Sequence, residues 1–335
     1  MLAGLARHTV MFMPRTEFSP TPAQLRAFVK VADLGSFTAA AAEAGQSQSA
    51  LSQALSTLEA GLRVELVRRG ARKVELSAEG LNLLPFARTA LQSLDAMVAA
   101  ADPGRAGRVT VNMGVIPTVA PYLLPSLLRG MSAPESGFQP VVVEEQTDDL
   151  VESVRSGRLD VAILAIPVGA RGLLEYPLYN ERFVLAAPSD HALASREDIF
   201  PQDLDEETVL LLEAGHCLRD QTLDLCRQVN ARILGSTQTK VSNLSTAVRC
   251  VEAGLGITVL PATAAAVEAR DTDCAIVEFG EPRPARTIGL LARETVPAQV
   301  IDTVYDVVQR FVAPALEIDA VPSSRRPAAG EFPGA

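Results

Sequence analysis

The hydrophobic period of this chain changes near residue 105, and one architecture cannot serve both sides of the change. Up to Ala101 the apolar residues recur every three or four positions, as on a helix. Beyond the Gly- and Pro-rich run Asp102-Pro103-Gly104-Arg105-Ala106-Gly107, short strand-like runs alternate with helical ones. The chain of 335 residues, 48% hydrophobic, is long enough to bury two or three cores. A helical front domain followed by an α/β region is therefore predicted, an α+β multi-domain protein.

In the front part, 21–34 reads as a helix with Leu25, Phe28, Val29 and Ala32 on its core face. Gly35-Ser36 breaks it, and Ser36 can cap a second helix over 37–44 that Gly45 ends. A third helix starts at Ser47 or Ser49. Its Leu51, Ala54, Leu55 and Leu58 form an apolar stripe, while Ser49, Ser52, Gln53 and Ser56 face the other way. Such an uncharged face, able to donate and accept hydrogen bonds, suits base edges in a major groove. Two β-like segments, 64–67 and 73–76, flank Arg68-Arg69-Gly70-Ala71-Arg72, a basic wing suited to phosphates. The plainer alternative is a small helical domain whose Ser and Gln are merely solvated. From 79 to 101, Leu84, Ala87, Leu91, Leu94, Val98 and Ala101 form a seam for helix pairing, with Pro85 expected to bend the helix or mark its start.

Charge and cysteine content narrow the function. The net charge of −10 argues against indiscriminate nucleic-acid binding, yet 20–80 carries seven basic and six acidic residues, so the acidity lies elsewhere. Four cysteines are too few for a secreted disulfide scaffold, and their spacing with three histidines makes no metal motif. No apolar stretch approaches the roughly 20 residues that span a bilayer. Residues 1–22 lack the pattern of a secretory signal, so a cytoplasmic protein without membrane contact is expected. Residues 1–20 and 314–335 are expected to be a disordered extension and tail, around a DNA-binding domain over 21–78 and a linker helix over 79–103.

The α/β region divides into two lobes. Strands are predicted over 108–115, 141–145 and 161–166, with helices over 119–128 and 148–156 between them. A second set comprises strands over 183–187, 209–212 and 256–260 and helices near 218–229 and 244–253. A returning strand, 287–292, and a final helix, 297–312, complete the pattern. Lobe I would take 107–180 with 282–313, and lobe II 181–281. Thr118 and Thr147 each stand where a strand gives way to a helix, the expected N-cap position. Both junctions lie at strand C-terminal ends of one lobe, where ligands of open α/β sheets bind.

Gly35-Ser36-Phe37-Thr38-Ala39-Ala40-Ala41, Ser47-Gln48-Ser49-Ala50-Leu51-Ser52-Gln53, Leu58-Glu59, Leu66-Val67-Arg68-Arg69 and Leu76-Ser77-Ala78-Glu79-Gly80 together resemble the N-terminal signature of LysR-type transcriptional regulators. That resemblance implies a winged helix-turn-helix, a dimerising linker helix and a two-lobed effector domain similar to periplasmic solute-binding proteins. It also implies a homotetramer built as a dimer of dimers, with promoter double-stranded DNA and RNA polymerase as partners. Thr38, Ser47, Gln48, Ser49, Ser52, Gln53, Arg68, Arg69 and Arg72 are the expected DNA contacts.

Gly215-His216-Cys217-Leu218-Arg219-Asp220-Gln221, followed by Cys226, resembles the peroxide-sensing branch of that family. Ile116-Pro117-Thr118, Pro121-Tyr122-Leu123-Leu124-Pro125 and Arg286-Thr287-Ile288-Gly289-Leu290 extend the likeness over nearly all of 22–312. It implies that hydrogen peroxide oxidises Cys217, that Cys226 resolves it into a disulfide, and that antioxidant-defence genes are controlled. No cofactor or metal is implied. Because a thiol reacts with peroxide as thiolate, nearby positive charge or donors are needed. His216, Arg219 and Arg286 are candidate donors, Thr118 and Thr147 could position the peroxide, and Asp220 could accept a proton. If the segment is helical, the two sulfurs stand about 13 Å apart in helix rise, beyond the roughly 4.4–6.8 Å Cα separation of a disulfide. Oxidation must therefore refold it. Cys250 and Cys274 read as structural. The competing readings are a metabolite-responsive LysR-type regulator, a thiol peroxidase and a transport solute-binding protein.

Overall fold

The computed structural model describes residues 18–69, 74–100, 108–133, 136–227, 232–234, 241–318 and 320–321. Two compact units divide at Leu91/Gln92. In the first, α1 (Pro22–Leu34) opens with a capping box. Thr21 accepts from the Gln24 backbone while the Gln24 side chain accepts from the Thr21 amide. Ser36 caps α2 (Phe37–Glu43) and Ser47 caps α3 (Gln48–Leu62). Phe28, Val31, Ala40, Leu51, Leu55 and Leu58 close the shared core. The wing is an antiparallel pair, β1 (Val67–Arg69) and β2 (Val74–Leu76).

The first strand of the wing lies later than the sequence suggests. Glu59 accepts hydrogen bonds from the amides of Leu66 (2.8 Å) and Val67 (3.2 Å), which ties the approach to β1 onto α3. The helix α4 (Ala78–Ala100) runs through Pro85 and begins seven residues before it, so the proline does not mark its start. The expected extension is also shorter at its inner end. Phe18 packs against the helical core, and a side chain at Gly61 would strike its ring.

In the second unit, β3 (Val109–Val115), β4 (Phe138–Glu144) and β5 (Val161–Ile166) are parallel, connected by α5 (Ala120–Met131) and α6 (Thr147–Arg155). The long strand β6 (Leu174–Pro188) then passes through both lobes. After β7 (Asp198–Ile199), β8 (Thr208–Leu210), α7 (Cys217–Cys226), β9 (Arg232–Leu234), α8 (Leu244–Glu252), β10 (Thr258–Pro261), α9 (Ala262–Glu268) and β11 (Cys274–Phe279), the chain returns to lobe I as β12 (Ala285–Ala292). It ends in α10 (Ala298–Val307), a π-helical turn (Val308–Val312) and α11 (Ala313–Leu316).

The alternation of strand and helix predicts parallel units, and the sheet is instead mixed. Its order is β4-β3-β5-β12-β6-β11-β7, with β12 antiparallel to both neighbours and β10 antiparallel to β6. Residues 174–182 of β6 pair with β12, and 183–188 pair with β10 and β11. The lobe boundary expected at 180/181 thus falls in the interior of one strand.

Each lobe has its own core. Met113, Leu127, Ile163, Leu164, Ile301 and Tyr305 lie in lobe I, and Phe183, Leu185, Val209, Val248, Leu260 and Phe279 in lobe II. The expected tail from 314 is ordered at its beginning. Leu316, Ile318 and Ala320 pack on lobe I, Ala320 forms an antiparallel bridge with Tyr179, and the Val321 amide donates to the Leu178 carbonyl at 2.6 Å.

Candidate functional site

The helix α7 begins and ends on cysteine. Its approach passes Gly215, whose φ of +99° favours glycine and where a Cβ would stand 1.9 Å from Gln146 Oε1. That close approach brings the start of α7, in lobe II, against the start of α6, in lobe I. Cys217 is half-buried and packs on the lobe I core, while the next residue, Leu218, is buried in lobe II. The reactive candidate therefore stands on the first turn of a helix where the lobes meet.

Arg286 arrives from β12 and is buried. Its Nε donates to Glu181 Oε2 at 2.7 Å, Nη1 to Thr118 Oγ1 at 3.0 Å and Nη2 to the Thr118 carbonyl at 3.2 Å. The guanidinium carbon lies 6.0 Å from the centre of the Phe183 ring. Burial alone would disfavour its charge, but Glu181, and after it Cys217, more than offset that cost and hold its pKa above the ordinary arginine value. A permanent cation thus sits within electrostatic reach of the Cys217 sulfur.

Thr118 and Thr147 are not N-caps. The cap of α5 is Val119 and that of α6 is Gln146, neither using a side chain, and the Thr118 hydroxyl is engaged by Arg286. Thr147 is the first residue of α6. Its Oγ1 is buried with no hydrogen-bond partner among the described residues, as is Gln221 Oε1. Gln221 lies four positions after Cys217 and so on the same face of α7. Two unpartnered buried polar atoms beside the lobe junction favour a small polar molecule.

Of the other expected donors, buried His216 is the α7 N-cap residue without a side-chain capping bond. Arg219 Nη1 donates to the Leu212 carbonyl at 2.7 Å, and Asp220 is exposed on the first turn. Cys226 is buried in the lobe II core, which pushes its thiol pKa up. Glu181, Thr263 and Gln146 escape the sequence reading. Glu181 stands between Asn180 and Arg182 and carries no signal, and Gln221, also missed, carries one in its spacing from Cys217. Among the described residues, no cluster of three or more His, Cys, Asp or Glu could hold a metal ion, and no helix is long and apolar enough to cross a membrane.

Two family models match: the bacterial regulatory helix-turn-helix protein, lysR family, over residues 22–81, and the LysR substrate binding domain over 104–312. The chain belongs to the LysR family. Within it the chain falls in the OxyR branch. It is 45% identical over 287 residues to a "Probable hydrogen peroxide-inducible genes activator" of Mycobacterium leprae, covering 84% of this chain and 90% of that one. To the "DNA-binding transcriptional dual regulator OxyR" of Escherichia coli it is 35% identical over 274 residues, 82% and 89% of the two chains. A full-length OxyR variant from Pseudomonas aeruginosa superposes with a TM-score of 0.69 at 28% identity, covering 88% of this chain and 99% of that one. A peroxide-bound OxyR variant from Corynebacterium glutamicum gives 0.61 at 37% identity, covering 90% and 95%.

The helix-turn-helix of this LysR-family chain is its DNA-binding domain. Thr38, Ser47, Gln48, Ser49 and Gln53 are exposed and Ser52 is half-buried. The Ser47 and Ser49 hydroxyls are 3.0 Å apart, and Thr38 donates to Gln48 at 3.4 Å, which draws the start of α2 to the start of α3. Arg68 is exposed on β1 and Arg69 is the last residue of that strand, so the basic pair lies in the wing's strand and not in its loop. Arg72 lies outside the described residues.

Proposed function

We propose that this OxyR-branch regulator senses hydrogen peroxide through Cys217, with Cys226 as the resolving thiol. The observation that carries the reading is the position of Cys217, on the first turn of α7 at the lobe junction and within electrostatic reach of buried Arg286. The Cys217 thiolate attacks one peroxide oxygen, the O–O bond breaks, and the leaving hydroxide takes a proton to become water. Cys217 is now a sulfenic acid. The Cys226 thiol attacks its sulfur, expelling a second water and closing the disulfide. Two thiols and one peroxide become one disulfide and two waters.

Thr147 and Thr118 would hold the peroxide oxygens, and Arg286 would stabilise the negative charge that develops on the leaving oxygen. His216 borders the site. Arg219 and Asp220 have weaker support as participants, one bonded to backbone and the other exposed. The disulfide would alter lobe and oligomer contacts in a cytoplasmic dimer of dimers and so change how Thr38, Ser47, Gln48, Ser49, Ser52, Gln53, Arg68, Arg69 and Arg72 engage promoter DNA upstream of antioxidant-defence genes, together with RNA polymerase. Regulation and not turnover is the role.

The test is peptide mass after brief, substoichiometric peroxide, alongside promoter footprinting, for wild type and Cys217→Ser. A Cys217–Cys226 linked peptide with a changed footprint, both absent in the variant, is the expected result. Retained response in the variant transfers the function to a metabolite bound between the lobes. Sustained peroxide consumption with a thiol reductant would instead make the protein a peroxidase.

A further inference from the structure

Glu181 and Arg286 stand directly opposite each other on β6 and β12, each side chain 1% exposed. Two further bonds tie this pair to different lobes. Thr118, in the turn between β3 and α5 in lobe I, accepts from the Arg286 guanidinium through both its hydroxyl and its carbonyl. Thr263, on α9 of lobe II, donates its hydroxyl to Glu181 Oε1. The same helix α9 carries Glu268, which accepts from Tyr122 of α5 at 2.9 Å and from Ser245 of α8. A chain of hydrogen bonds, Thr118–Arg286–Glu181–Thr263, therefore runs from one lobe to the other through a buried cation.

An arginine presents its donors in a fixed planar fork, so holding Nε and Nη2 on one carboxylate decides where Nη1 points. In this site Nη1 points at Thr118 Oγ1. A buried carboxylate so placed sets the fork's direction and keeps the buried charge compensated.

We propose that Glu181 is the positioning residue for the peroxide reaction, fixing Arg286 toward Thr118 and Cys217, and that Thr263 makes this positioning depend on lobe II. The inference rests on the reading of Cys217 as the peroxide-reactive thiol. Glu181 itself touches neither peroxide nor sulfur. Its effect passes through Arg286, so it governs the reaction that needs a directed cation at the leaving oxygen and leaves untouched one that needs only an accessible thiolate.

The experiment compares Glu181→Gln, Thr263→Val, Arg286→Met and the Glu181→Gln/Arg286→Met double variant in the full-length chain. The rate of Cys217 oxidation by hydrogen peroxide is read against its rate of alkylation by neutral iodoacetamide at the same pH, with the melting temperature as a fold control. Misdirection of one catalytic group by about 1 Å costs up to about 100-fold. Glu181→Gln should therefore slow oxidation by about 10- to 100-fold while alkylation stays within about threefold. The double variant should be no slower than Arg286→Met, because both changes remove one function. Thr263→Val keeps the ion pair and should slow oxidation severalfold with little loss of melting temperature, which decides the matter if Glu181→Gln does not fold. Oxidation at the wild-type rate in Glu181→Gln or in Thr263→Val, an equal fall in both reactions, or multiplied effects in the double variant would overturn the proposal. If wild-type Cys217 itself does not react with peroxide, it is the sensing assignment that fails.

Discussion

Cys217 and Cys226 are the first and last residues of one helix, the first half-buried at the lobe junction and the second buried in the core of lobe II. Nine helical steps give about 13 Å of rise between them, and a disulfide accepts a Cα separation of only about 4.4–6.8 Å. Oxidation is thus incompatible with α7. The amides of Gln221 to Cys226 should lose their hydrogen-exchange protection when the peroxide-treated protein is compared with the reduced one. Unchanged protection in a sample shown by mass to carry the bond would refute the refolding.

Thr147 separates function from stability. Its buried hydroxyl has no partner among the described residues, so Thr147→Val removes an unsatisfied polar group. Stability should stay within about 1 kcal/mol of wild type or rise slightly. Peroxide oxidation of Cys217 should nevertheless slow by about tenfold if the hydroxyl holds a peroxide oxygen. Denaturant melts and stopped-flow oxidation give the two numbers, and a clear loss of stability with unchanged oxidation would reassign Thr147 to the fold.

Burial raises the pKa of Cys226 in the folded state above its ordinary value of 9.0. Its contribution to stability is full below that ordinary value and is lost as pH rises, since the unfolded chain gains thiolate before the folded one does. Under reducing conditions, stability should therefore fall as pH passes about 9 toward the folded-state pKa. Cys226→Ala should show a shallower fall over that window, whatever its stability at neutral pH. Parallel curves for the two proteins would mean that the thiol titrates alike folded and unfolded.

The DNA-binding domain yields contrasting expectations for its two polar surfaces. Gln53, exposed on α3, should read a base, so Gln53→Ala should cost about 1–3 kcal/mol of discrimination at one operator position. Arg68, exposed on β1, should hold a phosphate. Arg68→Ala should weaken binding to all sequences alike and lower the slope of log affinity against log salt by about 1. Titrations at several salt concentrations on matched and mismatched operators distinguish the roles. Equal losses on both kinds of site for Gln53→Ala would remove it from base readout.

Where a segment's structure depends on its neighbours in the chain, the sequence alone determined it. Ser36 and Ser47 bond to amides three residues ahead, so α2 and α3 begin where those residues predict. The apolar run from Val161 to Ile166 becomes β5 with those bounds because it is covered on both faces wherever it lies in the sheet. The string around Cys217 likewise singled out the two cysteines that begin and end α7. Tertiary structure decided what depends on distant partners. Residues 174–182 continue as one strand with 183–188 because β12, more than a hundred residues on, pairs with them. Thr118 looks like a cap until Arg286, 168 positions away, takes its hydroxyl. Glu181 looks like a surface acid until the same arginine and Thr263 enclose it. Caps and periodicity act over a few residues, whereas a buried charge is tolerated only once the fold has delivered its counter-charge.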